Sequence, residues 1–254
     1  MATQSRITML SAGLVLLAGA AMAEATPTTI YQDSFPGSPT ATLTGTAPAT
    51  DTTGAVWTLN GNTGDDWAAD GLAPATTGGG YTYSIEYLPT TLATGQIYTL
   101  SATLSPTAGA TKNWLGLGFF NSSALFKAST TGPWMLLTDA GQTQAFGGPG
   151  VGNQDSKATT NGNTLGNTAT VILNTSGAAW TYQWLYNGVA LDTPQTYTTN
   201  PTATTGVGII AYQSVQGQAG SFQLTDSSVP EPATLGLMAA AGLGLLLLKR
   251  RRSA

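Results

Sequence analysis

The 254-residue chain contains no histidine and no cysteine, and only 8% of its residues are charged, against about 25% in a typical soluble domain. The missing side chains exclude a Ser-His-Asp triad, a cysteine nucleophile, a His/Cys zinc site and thiol redox chemistry. With only eight Lys and Arg residues, the chain also lacks the basic surface that nucleic-acid binding requires.

Two abundant residue types argue against a helix-rich architecture. Threonine occurs 44 times and glycine 32 times, and both are poor helix formers. Segments such as 81–87 and 98–104 alternate between apolar and polar residues, as β-strands do. Asn187-Gly188 is the strongest hairpin-turn signal. About a dozen such segments, separated by turns, predict an all-β sandwich or barrel between the two ends of the chain.

Residues 1–23 have the features of a secretory signal peptide. Arg6 precedes a short apolar run, and Ala21-Met22-Ala23 fits the A-x-A cleavage pattern. We therefore expect a signal helix that signal peptidase removes, so that the exported chain begins at Glu24.

The C-terminal segment 229–254 has three parts in a fixed order. Val229, Pro230, Glu231 and Pro232 come first, followed by an uncharged apolar run over 233–248. The basic cluster Lys249, Arg250, Arg251 and Arg252 lies within the tail 249–254. The run is marginal for a span of about 17–25 residues. By the positive-inside rule, a transmembrane helix here would keep the basic tail on the cytoplasmic side.

This arrangement resembles the PEP-CTERM sorting signal of certain bacteria. The resemblance implies recognition by exosortase after transient passage through the inner membrane, and then release or attachment at the cell surface or extracellular matrix. It also implies a connection with exopolysaccharide and biofilm. On this interpretation residues 229–232 are recognition residues, not catalytic ones. The alternative is a plain single-span anchor.

The central segment 24–228 carries three lysines against eleven acidic residues, a net charge of −8. This argues against anionic partners such as DNA or acidic lipid and permits neutral glycans and divalent cations. Its length is sufficient for one sizeable core without disulfides.

Four pieces of this segment resemble a concanavalin A-like, laminin-G-like jelly roll. They are Asp33-Ser34-Phe35, then 98–100 leading to 116–119, then 181–188, and a closing 220–224. The resemblance implies that the first and last strands pair, and that the Tyr186-Asn187-Gly188 turn joins neighbouring strands. A β-sandwich of another topology is the alternative.

The densest acidic group is Asp65, Asp66 and Asp70, in a glycine-flanked turn. Its oxygens suit Ca²⁺, although the EF-hand pattern is absent. The same carboxylates, with Glu86, are the candidates for a glycosidase pair.

Trp180, Tyr182 and Trp184 share one face of a predicted strand. Facing inward they would be core, whereas facing outward they would stack on sugars. The glycine-containing segments 141–144 and 147–150 are expected to be loops near such a surface.

Together these features predict a non-enzymatic cell-surface or biofilm-matrix protein whose jelly roll contacts polysaccharide. The alternatives are a carbohydrate-active hydrolase or lyase and a calcium-stabilised coat protein.

Overall fold

The computed structural model describes residues 26–61, 66–74, 83–107, 114–121, 132–148, 166–212 and 216–228. These residues belong to one compact unit that spans 25–229. The predicted signal peptide, the sorting tail with its transmembrane helix, and Asp65 lie outside the described residues.

Strands are the only regular elements in these ranges. In chain order they are β1 (Thr28–Asp33), β2 (Thr50–Asp51), β3 (Thr58–Gly61), β4 (Tyr83–Pro89), β5 (Gln96–Thr107), β6 (Trp114–Phe120), β7 (Trp134–Thr138), β8 (Thr143–Phe146), β9 (Asn167–Asn174), β10 (Thr181–Tyr186), β11 (Val189–Ala190), β12 (Gln195–Thr196), β13 (Gly206–Tyr212) and β14 (Gln216–Ser228). None of the described residues forms a helix long and apolar enough to span a membrane.

The strands form two antiparallel sheets. The first has the order β11-β10-β9-β5-β14-β1-β2, with β12 also paired to β10, and the second has the order β3-β4-β13-β6-β7-β8. β1 pairs with β14, placing Tyr31 opposite Leu224, and the Asn187-Gly188 turn joins β10 to β11. The all-β sandwich and both expected strand pairings are therefore confirmed.

The eight-stranded sheet buries one face only. Along β5 and β9, buried residues alternate with half-buried ones. Tyr98, Leu100, Val171 and Leu173 point inward and belong to the main core between the sheets. Because side chains alternate along a strand, the other face of this sheet carries mainly polar residues, together with half-buried Ile97, Ile172 and Leu185.

The six-stranded sheet is buried on both faces. All seven residues of β13 are buried, as are six of the seven residues of β6. Leu117 and Ile209 join the main core, whereas Phe120, Trp134 and Ile210 belong to a second hydrophobic cluster on the outer face. The candidate functional site lies on this outer face of the six-stranded sheet.

Asp33 fixes the chain as it leaves β1. Its two carboxylate oxygens accept hydrogen bonds from the Phe35 backbone N–H and the Trp57 indole N–H, each at 2.8 Å. Phe35 has a positive φ of 53°, a conformation that non-glycine residues rarely adopt. Its ring lies 5.7 Å from Trp57, which packs edge-on against Phe222 of β14. Buried Asp33 thus ties the opening segment to the closing strand.

One local prediction is wrong. The segment 141–144 was expected to be a loop, but Thr143 begins edge strand β8, which pairs with β7. Thr143 and Ala145 are buried while Gln144 and Phe146 are half-buried, so this four-residue alternation is too short to stand out beside the flanking glycines.

Candidate functional site

The acidic segment contributes one carboxylate to a hydrogen-bond network that joins exposed Thr44 to buried Glu86. The hydroxyl oxygen of Thr44 lies 2.7 Å from Glu86 Oε1 and 3.0 Å from Asp66 Oδ1. Asp70 makes a different hydrogen bond, in which its Oδ1 accepts from the backbone N–H of Leu72. No group of three acidic side chains suited to a metal occurs within the described ranges.

Glu86 lies on the inner side of the six-stranded sheet, on the same face of β4 as the core residue Leu88. It has no exposed surface. Burial raises the pKa of Glu86 to about 7; the Asp66 charge raises it too, whereas hydrogen bonds from Thr44 and the Trp67 backbone lower it. Thr44 Oγ1 is the donor in both contacts, and because a hydroxyl has one proton it can donate to only one of the two carboxyl groups at a time.

The aromatic triplet of the predicted strand lies in the core. Trp180 is 5% exposed, and Tyr182 and Trp184 are each 1% exposed. The Tyr182 ring packs 5.0 Å from Trp184 and 4.4 Å from Tyr197. These three side chains therefore face inward and do not form an exposed stacking surface.

A different set of aromatic residues crosses the outer face of the six-stranded sheet. We call it the outer aromatic face; it comprises Tyr83, Trp114, Trp134, Phe146 and Tyr212. Tyr212 stacks on Trp114 with ring centroids 5.1 Å apart, and Tyr83 lies 4.7 Å from Tyr212. Trp114 and Trp134 are 5.7 Å apart, and Trp134 stacks on Phe146 at 4.1 Å. The rings thus run in series from β4 to β8.

Glycines let these rings lie against the sheet. A Cβ atom at Gly118 would stand 2.2 Å from the Cβ of Trp134, and one at Gly116 would stand 3.2 Å from the Trp114 ring. The contact at Gly118 is closer than real side chains pack, and the contact at Gly116 is tighter than most, so Trp134 occupies space that only glycine leaves open and Trp114 lies close over Gly116. The Trp114-x-Gly-x-Gly spacing is the sequence signal that could have located this face.

The outer aromatic face is uncharged and only partly covered. Trp134 and Tyr212 are 7% and 8% exposed, whereas Tyr83, Trp114 and Phe146 are half-buried. No Asp, Glu, Lys or Arg points outward from the six strands. Such a surface suits an uncharged ligand with apolar patches.

The C-terminal segment matches a family model over residues 228–252, described as the PEP-CTERM protein-sorting motif. The chain carries a PEP-CTERM sorting signal. The match includes Pro230-Glu231-Pro232 and the basic cluster from Lys249 to Arg252. A PEP-CTERM motif indicates an exported protein that passes through the membrane, is processed by exosortase and is sorted to the surface.

Solved structures resemble the sandwich of this PEP-CTERM chain at low sequence identity. An endo-1,3-beta-glucanase from Streptomyces sioyaensis superposes with a TM-score of 0.50 at 12% identity, covering 80% of this chain and 97% of the enzyme. The Emp47p carbohydrate recognition domain gives 0.46 at 10% identity, with 80% and 96% covered. A Bacillus subtilis protein of unknown function with a galectin-like fold gives 0.45 at 13%, with 68% and 90% covered. The glucanase superposition supports the concanavalin-like jelly-roll fold. No curated protein matches by sequence.

Proposed function

We propose that this exported PEP-CTERM protein is a non-enzymatic component of the cell surface or biofilm matrix that binds neutral polysaccharide through its jelly roll. The observation that carries the proposal is the outer aromatic face. The half-buried rings of Tyr83 and Trp114 retain exposed surface, and sugar rings present C–H faces that pack on such aromatic groups. The absence of outward charge on this sheet favours an uncharged polymer over an anionic one.

The burial of Glu86 supports a binding role over a catalytic one. A glycosidase acid must reach the glycosidic oxygen of its substrate, with the second carboxyl group positioned across the bond. Glu86 has no exposed surface, and its Oε1 is occupied by Thr44. We therefore assign Glu86 and Asp66 a structural role.

The hydrolase alternative rests on the pair of carboxyl groups of Asp66 and Glu86, which both contact the Thr44 hydroxyl, and on the raised pKa of Glu86. It predicts that the protein releases reducing ends from a polysaccharide and that Asp66→Asn abolishes this release.

The calcium-stabilised coat alternative, which would use Asp65, Asp66 and Asp70, predicts a melting temperature that falls when EDTA is added. Neither effect is expected under the proposed function.

The test compares Trp114→Ala with Trp114→Phe in residues 24–228, titrated with soluble β-glucan and dextran. Losing the indole removes one stacking surface, so Trp114→Ala should bind about tenfold more weakly, whereas Trp114→Phe should retain most of the affinity.

Tyr83→Ser provides a second variant at a half-buried position if Trp114→Ala lowers the melting temperature. Unchanged affinity in both Trp114→Ala and Tyr83→Ser would contradict the assignment of the outer aromatic face.

A further inference from the structure

A groove of about 700 Å³ opens at one end of the sandwich. It lies between the β2–β3 loop, the β4–β5 loop and the segments that precede β10 and β13. Among the residues that the structure describes, thirteen line the groove; seven of these are threonines and none is charged. We call it the threonine groove, and its volume falls within the ~300–1,000 Å³ of typical ligand sites.

Hydrogen bonds hold the walls of the groove in place. The Thr90 N–H donates to the Thr205 carbonyl at 2.9 Å, and the Thr205 N–H donates to the Phe120 carbonyl at 2.8 Å. The opposite wall is fixed by Thr53, whose hydroxyl donates to Asp51 at 2.8 Å. A ligand would therefore enter a preformed site and lose little of its binding free energy to ordering the loops.

Three threonines present free hydroxyls. Thr91, Thr94 and Thr202 are exposed, and their side-chain oxygens form no hydrogen bond with any described residue. Each places a donor–acceptor hydroxyl beside a methyl group, while Trp180 and Leu92 add apolar surface. This mixture matches a ligand that alternates hydroxyls with C–H groups. None of the described lining residues carries a charge that could pair with the charge of an anionic or cationic ligand.

The groove lies at one end of the outer side of the six-stranded sheet, and the rings of Tyr83, Tyr212 and Trp114 lie at the other end. Pro89 follows Tyr87 on the outer side of β4 and pairs with Gly206, whose other partner is Phe120. Pro89 also lines the groove. The groove thus begins where the outer side of the six-stranded sheet ends.

We propose that the threonine groove binds a short stretch of uncharged polysaccharide and selects among neutral polymers by hydrogen bonds to their hydroxyls. This assignment rests on the proposed function, because it supplies a second subsite for the same ligand class. Stacking on the aromatic face tolerates many sugars, whereas directed hydroxyl contacts depend on sugar configuration.

The experiment titrates residues 24–228 with soluble β-glucan and dextran, using the double variant Thr91→Val/Thr202→Val. The two lost hydrogen bonds should weaken binding about tenfold for the preferred polymer. Thr94→Trp, which fills the groove from an exposed position, should weaken it further. The matched control is Thr170→Val/Thr225→Val, which removes two hydroxyls from the far face of the eight-stranded sheet and should bind as the wild type does.

The outcomes separate this inference from the proposed function. If Trp114→Ala weakens binding while both groove variants bind as the wild type does, the groove assignment is overturned and the proposed function stands. If the wild type binds neither neutral polymer, both are overturned. Weakening by the groove variants alone, with normal melting temperatures, supports the groove.

Discussion

At the scale of single residues, the buried carboxyl group of Glu86 has the clearest physical consequence. Thr44 approaches both Glu86 and Asp66 with a single hydroxyl proton, and Glu86 Oε2 has no hydrogen-bond partner within the part of the chain that the structure describes. The network is therefore satisfied best when Glu86 is neutral. Ionised Glu86 would place a buried charge beside Asp66.

Stability should accordingly fall as pH rises. The pKa of Glu86 increases from 4.5 to about 7 on folding, so the folded state binds one proton more than the unfolded state between these values. The stabilisation is fully present below pH 4.5, is lost progressively up to about pH 7, and is on the order of 3 kcal/mol in total. Urea unfolding of residues 24–228 at a series of pH values measures this slope.

Glu86→Gln should flatten the slope over this window and unfold at higher urea than the wild type at pH 8. The control Gln32→Asn, at an exposed position of β1, changes no titratable group and should leave the slope unchanged. A slope identical in the wild type and Glu86→Gln would contradict a neutral, buried Glu86.

At the scale of elements, the six-stranded sheet depends on glycines where neighbouring strands and their side chains crowd one another. A Cβ atom at Gly208 would lie 2.1 Å from the Glu86 carbonyl oxygen and 2.8 Å from the Tyr87 Cα. Both contacts involve backbone, which cannot rotate away. Gly208 thereby keeps β13 close to β4 beneath the outer aromatic face.

Gly208→Ala should destabilise the domain by about 1–3 kcal/mol, as overpacking typically does. The measurement is the urea midpoint of residues 24–228. The control is Gly220→Ala in β14, where the only close atom is the Thr103 hydroxyl at 2.9 Å, which a change of rotamer relieves. Equal midpoints for the two variants would disprove the crowding argument.

The sequence predicted most of these elements, because period-two alternation marks strands with one buried face and short apolar runs between turn residues mark strands buried on both faces. Segment 98–104, for example, lies within β5.

Alternation does not show which face of a strand points inward. It therefore placed Trp180, Tyr182 and Trp184 on one face without showing that this face belongs to the core. It also could not find the outer aromatic face, because Trp114 and Tyr212 come from different strands that meet only through sheet pairing. Likewise, Glu86 meets Thr44 across 42 residues of sequence.

At the scale of the whole molecule, the chain carries a sorting signal for export and surface attachment or release. Its central segment has a net charge of −8, yet the six strands present no outward charge and the described lining of the groove is uncharged. The sorting signal was recognisable from sequence because it is short and contiguous. The outer aromatic face left only the Trp114-x-Gly-x-Gly spacing as a signal, since the face is assembled from distant segments. Surplus negative charge disfavours anionic polymers, while neutral ones approach without repulsion.

The most direct test of this account is calorimetric titration of residues 24–228 with neutral β-glucan or dextran and with anionic alginate, at low and high salt. We expect saturable binding of at least one neutral polymer, with affinity that changes little with salt because no ion pairs form, and no binding of alginate. Binding of alginate alone, or the absence of binding to every polymer, would contradict the assignment of this protein as a neutral-polysaccharide binder.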